Sequence, residues 1–97
     1  MIVAACGEIT RITREEMDGL VDDDATDWER FAVALQSIAD GSPDAEFGAA
    51  TTQMATAALR TADSLRAGKP LGPALTDFED TIPAVDSVCK RVGTPLN

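Results

Sequence analysis

The residues best suited to chemistry in this 97-residue chain are two cysteines, because it contains no histidine. A thiolate can act as a nucleophile, bind a metal or form a disulfide, and spacing helps to separate these roles. Cys6 and Cys89 stand near opposite ends of the chain and form no Cys-x-x-Cys motif. This arrangement is typical of one structural bridge in an oxidising compartment. We predict a Cys6–Cys89 disulfide; the alternative is two unrelated buried thiols in a cytosolic protein.

A third role for Cys6 comes from the residues around it. The segment Val3-Ala4-Ala5-Cys6-Gly7 resembles a bacterial lipobox, in which the cysteine becomes the lipidated first residue of a lipoprotein. A lipidated Cys6 could not pair with Cys89, so the two interpretations exclude each other. Cys6 lies in helical phase with Ile2 and Ile9, which favours the bridge.

Clustered aspartates raise the possibility of a calcium site. Asp22, Asp23, Asp24 and Asp27 lie within one short stretch. Counted from Asp22, however, Asp27 stands where an EF-hand loop needs its turn glycine, and Val33 where it needs its bidentate glutamate. We therefore expect a solvated loop and no metal site.

A second acidic group could suggest general acid–base catalysis. Asp77, Glu79 and Asp80 lie close together, with Asp63 elsewhere in the chain. Such catalysis requires burial or mutual constraint to shift carboxyl pKa values, and these residues lie off the apolar stripes. The chain also lacks a Gly-x-Ser-x-Gly motif and a glycine-rich phosphate loop. We predict no catalytic residue, no cofactor and no enzymatic activity.

The charge of the chain limits its partners. It carries 17 acidic and 8 basic residues, a net charge of −9. This charge disfavours nucleic acid and anionic lipid, and favours a basic or apolar partner.

No apolar run reaches the roughly 18 residues of a membrane span, and the apolar N-terminus is too short for a signal peptide. We expect either a secreted or cell-envelope protein whose signal peptide has been removed, or a cytoplasmic one.

The elements that must position these residues are helices. The chain is divided by Gly41-Ser42-Pro43, Gly68-Lys69-Pro70 and Gly93-Thr94-Pro95, and it contains no alternating strand pattern or hairpin motif. The sequence therefore predicts an all-α fold, an antiparallel bundle of about four helices that forms a single domain over residues 1–97.

Local features refine this prediction. A first helical region covers residues 2–21 and can split where Thr13 forms a capping box with Glu16. A third helix has Ser42 as its N-cap and Pro43 in its first turn, and its many alanines place it centrally. Pro83 should bend the last helix without breaking it, because the apolar stripe keeps its phase across the proline.

The apolar faces provide the residues that we expect to form the core or a binding groove between helices. They are Trp28, Phe31, Phe47, Met54, Leu75, Phe78, Ile82 and Val85. The last four recur at alternating steps of three and four residues, which predicts that they face the third helix. Trp28 could anchor a partner, but it begins an apolar period, which favours the core.

The chain is rich in Ala, Asp and Thr, has more Arg than Lys, and places one early and one late cysteine on either side of its helices. In these features it resembles the small exported helical proteins of high-GC actinobacteria. That resemblance implies an exported compartment and no particular activity.

We therefore expect a non-catalytic exported interaction or structural module that binds a protein partner. One alternative is a carrier of a small apolar ligand, with a cavity between the Pro83 bend and the third helix. The other is a cytosolic acidic inhibitor or antitoxin-like regulator.

Overall fold

In a computed structural model, the chain forms a bundle of four helices, as the sequence predicts: α1 (Val3–Val21), α2 (Ala25–Asp40), α3 (Ala45–Arg66) and α4 (Gly72–Arg91). The structure describes residues 3–21, 25–42, 44–91 and 93, and within α1 it describes the side chains of residues 4–13. The described residues contain no strand. None of the helices described there is both long and apolar enough to cross a membrane.

The first helix is continuous where the sequence allowed a split. The Thr13 hydroxyl donates to the Ile9 carbonyl at 2.7 Å, and that of Thr10 donates to the Cys6 carbonyl at 3.2 Å. A threonine bonded to the carbonyl one turn earlier lies inside a helix and is not available as its N-cap. The capping-box interpretation of Thr13 is therefore wrong, because α1 runs unbroken from Val3 to Val21 and Thr13 lies in its interior.

The third helix begins at a different cap from the one predicted. Asp44, not Ser42, is the N-cap, and its carboxylate accepts a 2.7 Å hydrogen bond from the Phe47 amide. The Ser42 hydroxyl instead accepts from the Asp44 amide at 3.2 Å, which steadies the turn before the helix. A carboxylate suits this position, because it satisfies an unpaired amide and faces the positive end of the helix dipole. Pro43 lies outside the described residues.

Removing this cap should have a measurable cost. The variant Asp44→Ala should lower the free energy of unfolding by about 1 kcal/mol, because it leaves the Phe47 amide without its acceptor. Asp44→Asn should retain most of the stability, and Asp80→Ala, which removes an exposed carboxylate within α4, should change little. Denaturant melts give all three values. Equal losses for Asp44→Ala and Asp80→Ala would contradict the assignment of the cap.

The end of α3 follows a pattern that glycine makes possible. Gly68 has a φ of +69°, its amide donates to the Leu65 carbonyl at 3.2 Å, and the Lys69 amide donates to the Ser64 carbonyl at 2.9 Å. These two bonds form a Schellman motif, which satisfies carbonyls that the last turn leaves unpaired. The motif ends α3 as predicted, and it sets the path of the chain into α4.

The fourth helix continues through Pro83 to Arg91. A proline has no amide hydrogen, so the carbonyl of Glu79 loses its usual helical donor. The helix is nevertheless unbroken, as the phase of the apolar stripe indicates. The bend at Pro83 stays a prediction.

The helices pack in chain order, α1 on α2, α2 on α3 and α3 on α4. The third helix lies against both α2 and α4, which agrees with its predicted central place. Its buried alanines permit this close approach: Ala50, Ala55, Ala57, Ala58 and Ala62. The first helix packs on α2, and the Cys6–Cys89 pair connects it to α4.

Candidate functional site

The two cysteines lie together in the core, as predicted. Their sulfur atoms are 2.09 Å apart, at disulfide-bonding distance, and their Cα atoms are 5.9 Å apart. Both side chains are fully buried, and Ile9 and Ile12 extend the same buried face of α1. A sulfur engaged in this way cannot carry a lipid, so this geometry contradicts the lipobox interpretation of Cys6.

Three aromatic rings form a cluster beside this core. The Trp28 ring packs edge-on against those of Phe78 and Phe31, with centroid distances of 5.2 and 6.3 Å, and the Phe31 and Phe78 centroids are 5.8 Å apart. Trp28 is 4% exposed, so it belongs to the core and does not serve as an exposed anchor. Its indole N–H has no hydrogen-bond partner among the described residues.

The predicted core residues divide into two groups. Buried side chains form the first group: Trp28, Phe31, Phe47, Met54 and Val85. The second group is half-buried and packs against the core: Leu75, Phe78 and Ile82. Phe78, which the sequence predicts to face α3, packs its ring against two aromatic rings of α2. Helical periodicity defines which side of α4 is apolar, but not which neighbour that side meets.

A shallow apolar depression lies between α2 and α3, and we call it the α2–α3 groove. It has a volume of about 200 Å³ and is lined by Ala32, Val33, Gln36, Ala55, Thr56 and Leu59. Val33 is 60% exposed and Leu59 is 43% exposed, and they are the large hydrophobic side chains most open to solvent among the described residues. Neither residue was predicted from the sequence to be part of a site, because neither lies on the predicted core face of its helix.

A depression with both polar and apolar lining lies between α3 and α4, and we call it the α3–α4 groove. It comprises two cavities of about 420 and 400 Å³, which share Arg60 and Asp77. Side chains with hydroxyl or amide groups line much of it: Thr52, Gln53, Thr56, Ser64 and Thr81. Both cavities are open to solvent, unlike the enclosed apolar cavity that a carrier would need.

Electrostatic contacts lie mainly on the surface. Arg66 of α3 pairs with Glu29 of α2 at 2.6 Å, and Arg91 of α4 pairs with Glu46 of α3. Exposed pairs of this kind contribute about 0–1 kcal/mol, so they orient neighbouring helices more than they stabilise them. A hydrogen bond from Arg11 lowers the pKa of the Glu8 carboxyl below its ordinary value.

The described acidic residues considered for catalysis lie on the surface, and two of them, Asp63 and Asp77, line the α3–α4 groove. Asp63, Asp77, Glu79 and Asp80 are all exposed. Asp27 pairs with Arg30 at 3.2 Å, and the other three residues of the candidate calcium loop lie outside the described residues. Among residues 4–13, 25–42 and 44–91, no group of three or more acidic, cysteine or histidine residues could hold a metal ion.

Comparison with known proteins does not add a relative. No family model matches the chain, and neither the curated proteins nor the solved structures compared with it give a match.

Proposed function

We propose that this chain is a non-catalytic, exported interaction module that binds a protein partner through the α2–α3 groove. The observation that carries the proposal is the position of Val33 and Leu59. These two exposed large hydrophobic side chains come from different helices and line the same groove. Exposed apolar side chains that adjoin across a helix pair, on a chain with a net charge of −9, favour a contact surface.

The size of the groove favours a protein over a free ligand. Its volume of about 200 Å³ falls below the roughly 300–1,000 Å³ of most small-molecule sites. A space of this size suits an apolar side chain projecting from a partner helix, as in recognition of a helix by a groove. Gln36 lines the groove and donates to the Thr52 hydroxyl at 3.4 Å, so a polar group borders the apolar surface.

The cysteine pair supports export. A disulfide between buried cysteines that connects α1 to α4 is typical of small proteins in oxidising compartments. A domain of this length buries a modest fraction of its surface, so a covalent link between its first and last helices favours persistence outside the cell. The disulfide, the exported location and the binding role together form the proposal.

The first test concerns the groove. A partner is captured with the unreduced protein, and its affinity is then measured for Val33→Asp and Leu59→Asp. Each variant should weaken binding roughly tenfold to a hundredfold, because burying one aliphatic side chain is worth about 1.5–3 kcal/mol. Thr76→Asp adds the same charge at an exposed position of α4 and should bind normally. Unchanged affinity for both groove variants would contradict the proposal.

The response to salt separates this mode of binding from the acidic-regulator alternative. Binding through an apolar groove should hold or strengthen as ionic strength rises, and should show a negative heat-capacity change. Binding through exposed carboxylates should weaken steeply, because salt screens exposed charges over about 8 Å at physiological ionic strength. Calorimetric titration at low and high salt decides between them. A strong loss of affinity in salt would favour the acidic inhibitor.

A further inference from the structure

The basic side chains of this acidic chain are mostly neutralised by neighbours. Carboxylates pair with nearly all of those that the structure describes: Arg11, Arg30, Arg66, Lys90 and Arg91. Arg60 and Lys69 are the exceptions within the described residues, since neither makes an ion pair there. Acidic residues outnumber basic ones by 17 to 8, yet these two cations have no ion-pair partner among the described residues.

The two unpaired cations line the same space. Arg60, on the last turns of α3, and Lys69, in the loop that follows, both line the 420 Å³ cavity of the α3–α4 groove. The Schellman motif places Lys69 there, because its amide is bonded to the Ser64 carbonyl at 2.9 Å. Pro73 and Ala74 bring the start of α4 to the same cavity, and the first turn of that helix carries no acidic residue.

Hydrogen-bond acceptors for hydroxyl groups line the same cavity as the two cations. Asp63 and Asp77 line the cavity, and neither forms an ion pair with Arg60 or Lys69. Ser64 adds a hydroxyl that can donate or accept. The cavity thus presents donors for an anionic oxygen group and acceptors for hydroxyl groups.

We propose that this cavity binds a small polyhydroxylated anion. The Arg60 guanidinium and the Lys69 ammonium would hold a carboxylate or phosphate by charge-assisted hydrogen bonds. The carboxylates of Asp63 and Asp77 would accept hydrogen bonds from the hydroxyl groups of the same molecule. The volume of about 420 Å³ lies within the range of small-molecule sites, in contrast to the α2–α3 groove. This site is separate from the proposed partner surface.

The probes are glucuronate, glucose 6-phosphate and uncharged glucose, each titrated into the nitrogen-15-labelled, unreduced full chain at constant ionic strength. Glucuronate or glucose 6-phosphate should produce saturable shifts of the amides of Arg60, Ser64, Lys69 and Ala74. Glucose should produce much smaller shifts, because it carries no anionic group. A response to glucuronate alone identifies a carboxylate ligand, and a response to the phosphate alone identifies a phosphorylated one.

Two double variants test whether Arg60 and Lys69 bind the anion. Arg60→Ala combined with Lys69→Ala should weaken binding of the responding probe by about tenfold or more, because it removes both cationic donors from the cavity. Arg30→Ala combined with Lys90→Ala removes the same charge from paired positions outside the cavity and should leave affinity unchanged. All four side chains are exposed, so both variants should fold. The absence of a saturable shift with either anion would overturn the proposal. So would shifts with glucose as large as those with the anions, or an equal loss of affinity in the two double variants.

Discussion

Replacing both cysteines, as in Cys6→Ala with Cys89→Ala, should lower the free energy of unfolding by about 4–5 kcal/mol. The pair is separated by 83 positions in the sequence, and the chain-entropy treatment assigns this much to a loop of that length. Both residues are fully buried, so the alanines should add a smaller penalty for lost packing. Denaturant melts of the wild type and the double variant, with and without reductant, measure the difference.

The disulfide hypothesis has its own control. Reductant should destabilise the wild type by a similar amount and should leave the double variant unaffected. Intact mass after alkylation reports whether the thiols are bonded, and two freely alkylated thiols in the native, unreduced protein would contradict the hypothesis. Hydrogen exchange should localise the loss to α1, because this helix packs mainly on α2 and meets α4 at the cysteine pair.

The second large effect is expected at Phe31. This ring is 1% exposed and packs with those of Trp28 and Phe78, so Phe31→Ala should cost about 3–5 kcal/mol. Phe78→Ala should cost less, about 2 kcal/mol, because that ring is only half-buried. The matched control is Val33→Ala, two positions further along α2, which should change stability by under about 0.5 kcal/mol because Val33 is 60% exposed.

The critical result is the order of the three decreases in the free energy of unfolding. Chemical denaturation of Phe31→Ala, Phe78→Ala and Val33→Ala under identical conditions gives it directly. A Phe78→Ala loss well under 1 kcal/mol would mean that the ring contributes little to the core, and it would turn this face of α4 into a candidate binding surface. A Val33→Ala loss as large as that of Phe31→Ala would contradict the exposure on which the α2–α3 groove rests.

Features that depend on neighbours along the chain could be predicted from the sequence. Helical periodicity and the breakers at Gly41 and Gly68 predicted the four helices and the end of α3. The same periodicity placed Cys6 on the apolar face of its helix, and the structure buries it there beside Cys89. These predictions are correct because helix formation and capping involve groups only a few residues apart.

The sequence was ambiguous where two nearby residues, or two positions in a helix, could each fit the same local structure. Ser42 and Asp44 are both suitable N-caps, and the choice depends on how the turn after α2 leads into α3. Asp44 is selected because the Ser42 hydroxyl holds the Asp44 amide and the Asp44 carboxylate reaches Phe47. Thr13 likewise fits both a capping box and a helix interior, and the continuous α1 places it in the interior.

Both candidate surfaces depend on how helices pack, which the sequence alone did not reveal. Val33 and Leu59 belong to different helices and become one surface only because α2 packs against α3. Arg60 and Lys69 share a cavity with Asp77 only because α4 packs against α3. A periodic pattern shows which side of each helix is apolar, but contacts between helices depend on packing angles and side-chain shapes along the whole bundle. The sequence by itself therefore determined the helices and their buried faces, and the tertiary structure decided which exposed side chains share a groove.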